Sequence, residues 1–161
     1  MQNEINEKIE LCGKTRVWIG DPCYVISDQI WDKVCEQIFA GTEREVNQII
    51  GFDYGDLRRA NVPDAVLDNC AGRKCAFIQC GTMYGDGVFS SMSGFDYGVD
   101  AGCLAIVPDY LIDPEKMEEA KRLGKFFDAL DYIALLTDGN GTFTFYDASG
   151  PLEIIETGDS E

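Results

Sequence analysis

Apolar and polar residues follow a period of two through much of this chain, the spacing of half-buried β-strands. Short runs rich in Val, Ile, Phe and Tyr stand between Gly, Pro and Asp residues, which favour turns. The pattern predicts strands at residues 15–19, 23–26, 74–82, 88–91, 95–99, 103–107, 132–137, 142–146 and 152–156. It also predicts two hairpins, one joining 74–82 to 88–91 and a clearer one across the DGNG turn at 138–141.

A helical period appears in two places. Apolar residues recur at intervals of three and four from Ile30 to Phe39, after a cap at Ser27 or Asp28 and before Gly41. A second helix is predicted to begin at Asp113-Pro114, to bury Met117, Ala120 and Leu123, and to end at Gly124. Residues 42–73 show neither period and are interpreted as an insertion or a flexible loop.

These elements predict an α+β fold of mainly antiparallel β-structure. The arrangement is a sandwich or an open barrel with two amphipathic helices at an edge or a face. The length of 161 residues favours a single domain spanning residues 1–161.

Charge narrows the classes of partner. The chain has 29 Asp and Glu against 13 Lys and Arg and no His, so its formal net charge is −16. This charge opposes direct binding of nucleic acid or anionic membranes and favours a basic protein as the partner. The absence of His excludes a Ser-His-Asp triad, a Cys-His dyad and a His-ligated zinc site.

The first ten residues are polar and acidic, and no apolar run approaches the ~20 residues that a membrane-spanning helix needs. We therefore expect a cytoplasmic protein whose seven cysteines are reduced thiols. A zinc site at Cys70, Cys75 and Cys80 is disfavoured, because Cys75 and Cys80 would point to opposite faces of a strand. Cys23 is interpreted as a small buried apolar residue rather than a reactive thiol.

Three Asp-Gly motifs stand where apolar runs meet turns: residues 20–24 (GDPCY), 84–87 (YGDG) and 99–102 (VDAG). The simpler interpretation is three turns, in which Asp accepts backbone N–H bonds and Gly supplies unusual backbone angles. The alternative is a shared ligand site formed by Asp21, Tyr24, Tyr84, Asp86 and Asp100. If such a site held a metal, Asp21, Asp86 and Asp100 would bind Mg²⁺ or Ca²⁺, and no other cofactor is expected.

The segments IGDPCYV at 19–25, YGDG at 84–87 and YGVDAG at 97–102 also carry a resemblance. They resemble signatures of an uncharacterised family of small phage and bacterial proteins. The three segments cover under a fifth of the chain, in order from Ile19 to Gly102. The resemblance implies a compact β-rich domain and a phage or mobile-element origin, but no known activity.

The leading hypothesis is a small acidic non-enzymatic binding protein, phage-encoded, that inhibits or sequesters a host factor. Small size, negative charge and the lack of a catalytic signature motivate it. One alternative is a hydrolase dependent on Mg²⁺ or Mn²⁺ that uses Asp21, Asp86 and Asp100. Another is a small-ligand or nucleotide binder with Arg16 and the tyrosines of the motifs as contacts. The oligomeric state stays open.

Overall fold

A computed structural model describes residues 5–28, 58–61, 76–82, 87–100, 103–138 and 141–157, which are mainly antiparallel β-structure. The strands are β1 (Ile5–Gly20), β2 (Arg58–Asn61), β3 (Ala76–Gly81), β4 (Gly87–Phe89), β5 (Tyr97–Val99), β6 (Cys103–Pro108), β7 (Lys125–Thr137), β8 (Thr142–Asp147) and β9 (Gly150–Glu156). The α-helix α1 spans Met117–Leu123, and short 3₁₀ turns span Pro22–Tyr24, Asp109–Leu111 and Pro114–Lys116.

Seven strands form one curled, half-barrel sheet in the order β2-β3-β6-β1-β7-β8-β9, while β4 and β5 form a separate pair. The central strand β1 is 16 residues long and pairs with β7 along most of its length. Their register shifts between Glu10 and Lys14, where Gly13 has a φ of 69°. Glycine adopts this left-handed angle without a steric cost, and such an irregularity increases the local twist that curls the sheet.

Asp147, the last residue of β8, binds β7 beside this irregularity. Its buried carboxylate accepts hydrogen bonds from the Leu130 amide (2.7 Å) and from the amide and hydroxyl of Ser149. Burial alone would raise the pKa of Asp147, but the hydrogen bonds from Ser149 and Leu130 outweigh it and lower the pKa. The ionised carboxylate thus holds the start of the β8–β9 turn against β7.

The main hydrophobic core lies on the inner face of the curled sheet. Alternate residues of each strand point inward, as the strand period requires. The β4–β5 pair packs against this face and contributes Phe89, Tyr97 and Val99. The sheet contributes Ile9, Val17, Ile19, Ile78, Cys80, Leu104, Ile106, Ala129, Ile133, Leu135, Phe143, Phe145 and Ile155.

Trp18 starts a second buried layer on the opposite face of β1. It is fully buried, and its indole Nε1 donates a hydrogen bond to the carbonyl oxygen of Ala120 in α1 at 2.7 Å. Gly20 and Gly124 lie against the indole ring so closely that a Cβ at either position would overlap it. Trp18 therefore attaches α1 to the sheet, and there is no room beside the indole for any residue larger than glycine.

Several strand predictions are confirmed. The hairpin predicted across 138–141 is β7–β8, and the predicted last strand is β9. Two predictions are wrong. Residues 23–26 do not form a strand, because Pro22 begins a 3₁₀ turn there. The run at 74–82 does not form a hairpin with 88–91, because β3 pairs with β2 and β6 whereas β4 pairs with β5.

The expectation of two amphipathic helices is not supported by the described residues, whose α-helix α1 has seven residues. It begins after the Asp113-Pro114 cap as predicted, but one 3₁₀ turn precedes it. The helix predicted from Ile30 to Phe39 lies outside the described residues, as does the segment at 42–73 apart from β2. Within the described part of the chain, no helix is long and apolar enough to span a membrane.

Replacing Gly124 with alanine tests the packing of Trp18. The new Cβ would overlap the indole and approach the carbonyl oxygen of Ile19 to 2.5 Å. We expect Gly124→Ala to lower the free energy of unfolding by about 1–3 kcal/mol, the usual cost of overpacking a core. Urea unfolding followed by tryptophan fluorescence measures it.

The matched control is Gly98→Ala in β5. There the nearest atom to a new Cβ is the Tyr24 hydroxyl oxygen at 3.9 Å, an ordinary contact distance. We expect this variant to stay within about 0.5 kcal/mol of the natural protein, as for other substitutions that cause no clash. Equal effects of the two substitutions would contradict the packing role assigned to Gly124.

Candidate functional site

The first Asp-Gly motif lies at the end of β1, where the chain leaves the sheet. Pro22 prevents β1 from continuing, since proline lacks the N–H that a strand ladder needs. Asp21 takes the capping position of the 3₁₀ turn Pro22–Tyr24, and its Oδ1 accepts the Cys23 N–H at 3.0 Å. The Asp21 side chain is nevertheless fully buried, which is unusual for a simple turn residue.

The third motif supplies the reason for this burial. The backbone N–H of Asp100, directly after β5, donates to Oδ2 of Asp21 at 2.7 Å. The Asp21 carboxylate thus accepts one hydrogen bond from its own turn and one from a residue 79 positions away in the chain. The first and third motifs converge, and they do so through a backbone amide rather than through two carboxylates that face a common ligand.

Tyr24 adds a second link between these motifs. Its hydroxyl donates to Oδ2 of the exposed Asp100 carboxylate at 2.8 Å. Burial raises the pKa of Tyr24, and the hydrogen bond to Asp100 raises it further. The phenol therefore remains a neutral donor. We call the group formed by Asp21, Tyr24 and Asp100 the Asp21 latch.

The second motif cannot be placed relative to the latch. Tyr84 and Asp86 lie outside the described residues, so convergence of all three aspartates stays a prediction. Residues 5–28, 58–61, 76–82, 87–100, 103–138 and 141–157 contain no group of three Cys, Asp or Glu side chains that could hold a metal ion. In the described part of the site, the carboxylates of Asp21 and Asp100 accept hydrogen bonds from within the protein.

Cys23, next to the latch, is a poor nucleophile. Burial raises the pKa of its thiol, and the neighbouring Asp21 carboxylate raises it further, while Lys116 opposes this shift. Because the thiolate is the reactive form of cysteine, a raised pKa keeps the group inert near neutral pH. This agrees with the expectation that Cys23 is not a reactive thiol, although its side chain is half-buried rather than buried.

The segment after the latch is fixed to the start of α1. The Asp113 N–H donates to the Val25 carbonyl oxygen at 2.8 Å, and Nζ of Lys116 donates to the Ile26 carbonyl oxygen at 2.9 Å. Lys116 also forms an ion pair with the exposed Asp28 at 3.5 Å. The latch is therefore supported from one side by β5 and from the other by the α1 region.

A second polar cluster, which the sequence did not indicate, surrounds Glu153 in β9. This glutamate is fully buried, and its carboxylate accepts hydrogen bonds from the Ser93 hydroxyl (2.6 Å), the Ser93 amide (3.0 Å) and the Tyr97 hydroxyl (2.8 Å). Burial raises the pKa of Tyr97, and its hydrogen bond to Glu153 adds to the shift. The cluster, called the Glu153 clamp below, joins β9 to the β4–β5 pair.

One weak signal could have indicated the Glu153 clamp. Glu153 is two residues from Ile155, so their side chains lie on the same face of β9, and Ile155 points into the core. Leu152 and Ile154 lie on the opposite face and are equally apolar. The sequence of β9 alone therefore does not indicate which face is buried. The hydrogen-bond donors of Ser93 and Tyr97 come close to Glu153 only when the tertiary structure forms.

Comparisons with known proteins add no family assignment. No family model matches the chain, and neither the curated proteins nor the solved structures provide a match. The chemistry of the described residues is therefore the basis for any functional statement.

Removing the Asp21 carboxylate tests the Asp21 latch. In an Asp21→Ala variant, the partly buried amide N–H groups of Cys23 and Asp100 lose the side-chain oxygens that accept their hydrogen bonds. We expect a loss of at least about 2 kcal/mol in the free energy of unfolding, measured by urea denaturation, because two hydrogen bonds of about 1 kcal/mol each are lost.

Asp113→Ala is the matched control. Asp113 also precedes a proline and caps a 3₁₀ turn, where its Oδ1 accepts the Glu115 N–H at 3.0 Å. Asp113 has the same capping role as Asp21 but accepts no hydrogen bond from the residue after β5. We therefore expect Asp113→Ala to lower the free energy of unfolding by about 1 kcal/mol. Equal losses in the two variants would show that the bond between the motifs contributes nothing.

Alkylation of Cys23 tests the state of its thiol. We expect iodoacetamide to modify Cys23 in the folded protein at pH 8 at least about tenfold more slowly than in urea, because the thiol stays protonated. Mass spectrometry of tryptic peptides measures the rate at this one position. Similar rates in the folded and unfolded protein would contradict the raised pKa.

Proposed function

We propose that this protein is a non-enzymatic binding protein that recognises a basic polypeptide through its acidic surface. One observation carries the proposal. Exposed carboxylates of the described surface, at Asp96, Glu119, Asp131 and Glu156, take part in no ion pair among the described residues. Their negative charge is accordingly available to a partner.

The basic side chains are arranged differently. Several of them lie against carboxylates or aromatic rings of the same protein, which reduces the positive charge that the surface presents. Lys14 approaches Asp128 at 3.9 Å, and the Arg16 guanidinium lies 3.9 Å from the centre of the Phe126 ring. The same holds for Lys8, Lys116, Lys121 and Lys125.

The Asp21 latch supports a binding role over a catalytic one. General acid–base catalysis requires a group that can reach a substrate and change its protonation state. The Asp21 carboxylate is buried and accepts hydrogen bonds from the protein's own amides, and the Cys23 thiol has a raised pKa. These groups stabilise a loop, which leaves the charged exterior as the feature suited to recognition.

An inhibitory or sequestering action follows from such a surface. A protein with a net charge of −16 that covers the basic face of a host factor would exclude the polyanions that this face normally binds. Complementary charge also accelerates the encounter of the two proteins and makes it dependent on ionic strength.

Binding of a basic peptide tests the proposal. A labelled peptide of about ten alternating Lys and Ser residues should bind at low salt, and its affinity should fall by about tenfold or more between ~50 and ~500 mM NaCl because salt screens exposed charges. Fluorescence anisotropy measures the dissociation constant at each salt concentration.

The control is a peptide of the same length in which Glu replaces Lys. It has the opposite charge and the same backbone, so it should not bind at any salt concentration. If the Lys peptide also fails to bind at low salt, or binds with no dependence on salt, the proposed function is wrong.

A further inference from the structure

An open groove lies beside the outer edge of β9, where the segment following β4 runs along it. Its volume is about 360 Å³, and it is lined by Ser90, Ser91, Met92, Ile154 and Glu156. The Met92 N–H donates to the Ile154 carbonyl oxygen at 2.8 Å, and the Glu156 N–H donates to the Ser90 carbonyl oxygen at 3.3 Å. The groove therefore has a hydrogen-bonded backbone floor.

One exposed large apolar side chain, Met92, lines this groove, and another, Val88, lies four positions earlier in the chain, in β4. Val88 is 71% exposed and Met92 is 59% exposed, and they are the two most exposed large hydrophobic residues of the described part of the chain. Met92 is therefore the exposed apolar side chain that the groove itself presents to a partner. A flexible methionine adapts well to partners of varied shape.

The Glu153 clamp gives the groove a fixed shape. Ser93, directly after Met92, donates from both its amide and its hydroxyl to the buried carboxylate of Glu153, which directly precedes the groove residue Ile154. The amide of Ile154 donates to the same carboxylate at 3.2 Å. Met92 is thus held between two anchored positions, and preorganisation of this kind lowers the entropy cost of binding.

Charge decides the class of occupant. The Glu156 carboxylate lines the groove and is exposed, and no ion pair of the described residues engages it. The protein as a whole has a charge of −16, so a second copy or any acidic segment would be repelled. An occupant must therefore combine positive charge near Glu156 with an apolar side chain against Met92.

We propose that this groove docks a short polypeptide segment in which Lys or Arg alternates with an apolar residue such as Leu. The apolar side chain packs on Met92, and the cation pairs with Glu156. The inference rests on the proposed function, since it places part of the basic-polypeptide contact at one surface. It adds an apolar contribution that charge alone does not supply.

Two peptides of equal charge test the groove, one of about ten alternating Lys and Leu residues and one of alternating Lys and Ser. Burying the exposed part of a methionine corresponds to about a tenfold change in affinity. We expect the Lys/Leu peptide to bind at least about tenfold more tightly, and Met92→Ser to remove that preference. Leu130→Ser is the matched control, because Leu130 is also exposed, at 44%, but lies on β7.

A second measurement locates the contact directly. With ¹³C-methyl methionine, the Met92 methyl resonance should shift on addition of the Lys/Leu peptide, whereas that of the half-buried Met117 in α1 should not. Thermal unfolding of each variant verifies that it is folded, so a loss of binding by Met92→Ser can be assigned to the groove.

Three outcomes would overturn the proposal. If the two Lys peptides bind equally and Met92→Ser binds like the natural protein, the groove is not the site, although the proposed function stands. If neither peptide binds, the proposed function fails together with the groove. If sedimentation shows a dimer that Met92→Ser loses, a second copy occupies the groove.

Discussion

The pairing of β1 with both β6 and β7 is the constraint on which the rest of the described structure depends. At residues 17–19 this strand has neighbours on both sides and is buried on both faces. Val17 and Ile19 point into the inner core, while Trp18 points to the other face and binds α1. A shift of register by one residue would exchange these faces and place the indole in the core.

The end of β1 is also where the Asp21 latch forms. Pro22 ends the strand ladder, and the carboxylate before it accepts amide hydrogen bonds from its own turn and from the residue after β5. The position of the separate β4–β5 pair thus depends on where β1 ends. The Glu153 clamp fixes the same pair from the opposite side, through Ser93 and Tyr97.

The buried carboxylates of Asp21 and Glu153 are stabilised for the same physical reason. An ionised group inside a protein is tolerated when hydrogen-bond donors replace the water that it loses. Asp21 has amide donors, and Glu153 has amide and hydroxyl donors. Both carboxylates are engaged by donors of the fold, so the exposed carboxylates are the ones available for recognition.

The helical start at Asp113-Pro114 and the hairpin across 138–141 were predictable because their signals are local. Each consists of turn or cap residues whose preferences act within a few positions. The convergence of Asp21 with Asp100 was a hypothesis from sequence, and the structure supports it for these two residues in the form of a carboxylate–amide bond. The first part of β1 was not predicted, because residues 5–14 are polar and carry no clear strand period.

By itself, the sequence determined the β-rich class, the acidic surface and the absence of histidine chemistry, because composition and local period are properties of the chain. Only the tertiary structure decided that β3 pairs with β6 rather than β4, that Glu153 is buried, and that Met92 is exposed beside a groove. Pairing partners and burial depend on which distant segments meet, and each strand alone is compatible with several partners. Asp21 illustrates both contributions: the sequence around it predicts a turn, and the tertiary structure makes that turn a link between two motifs.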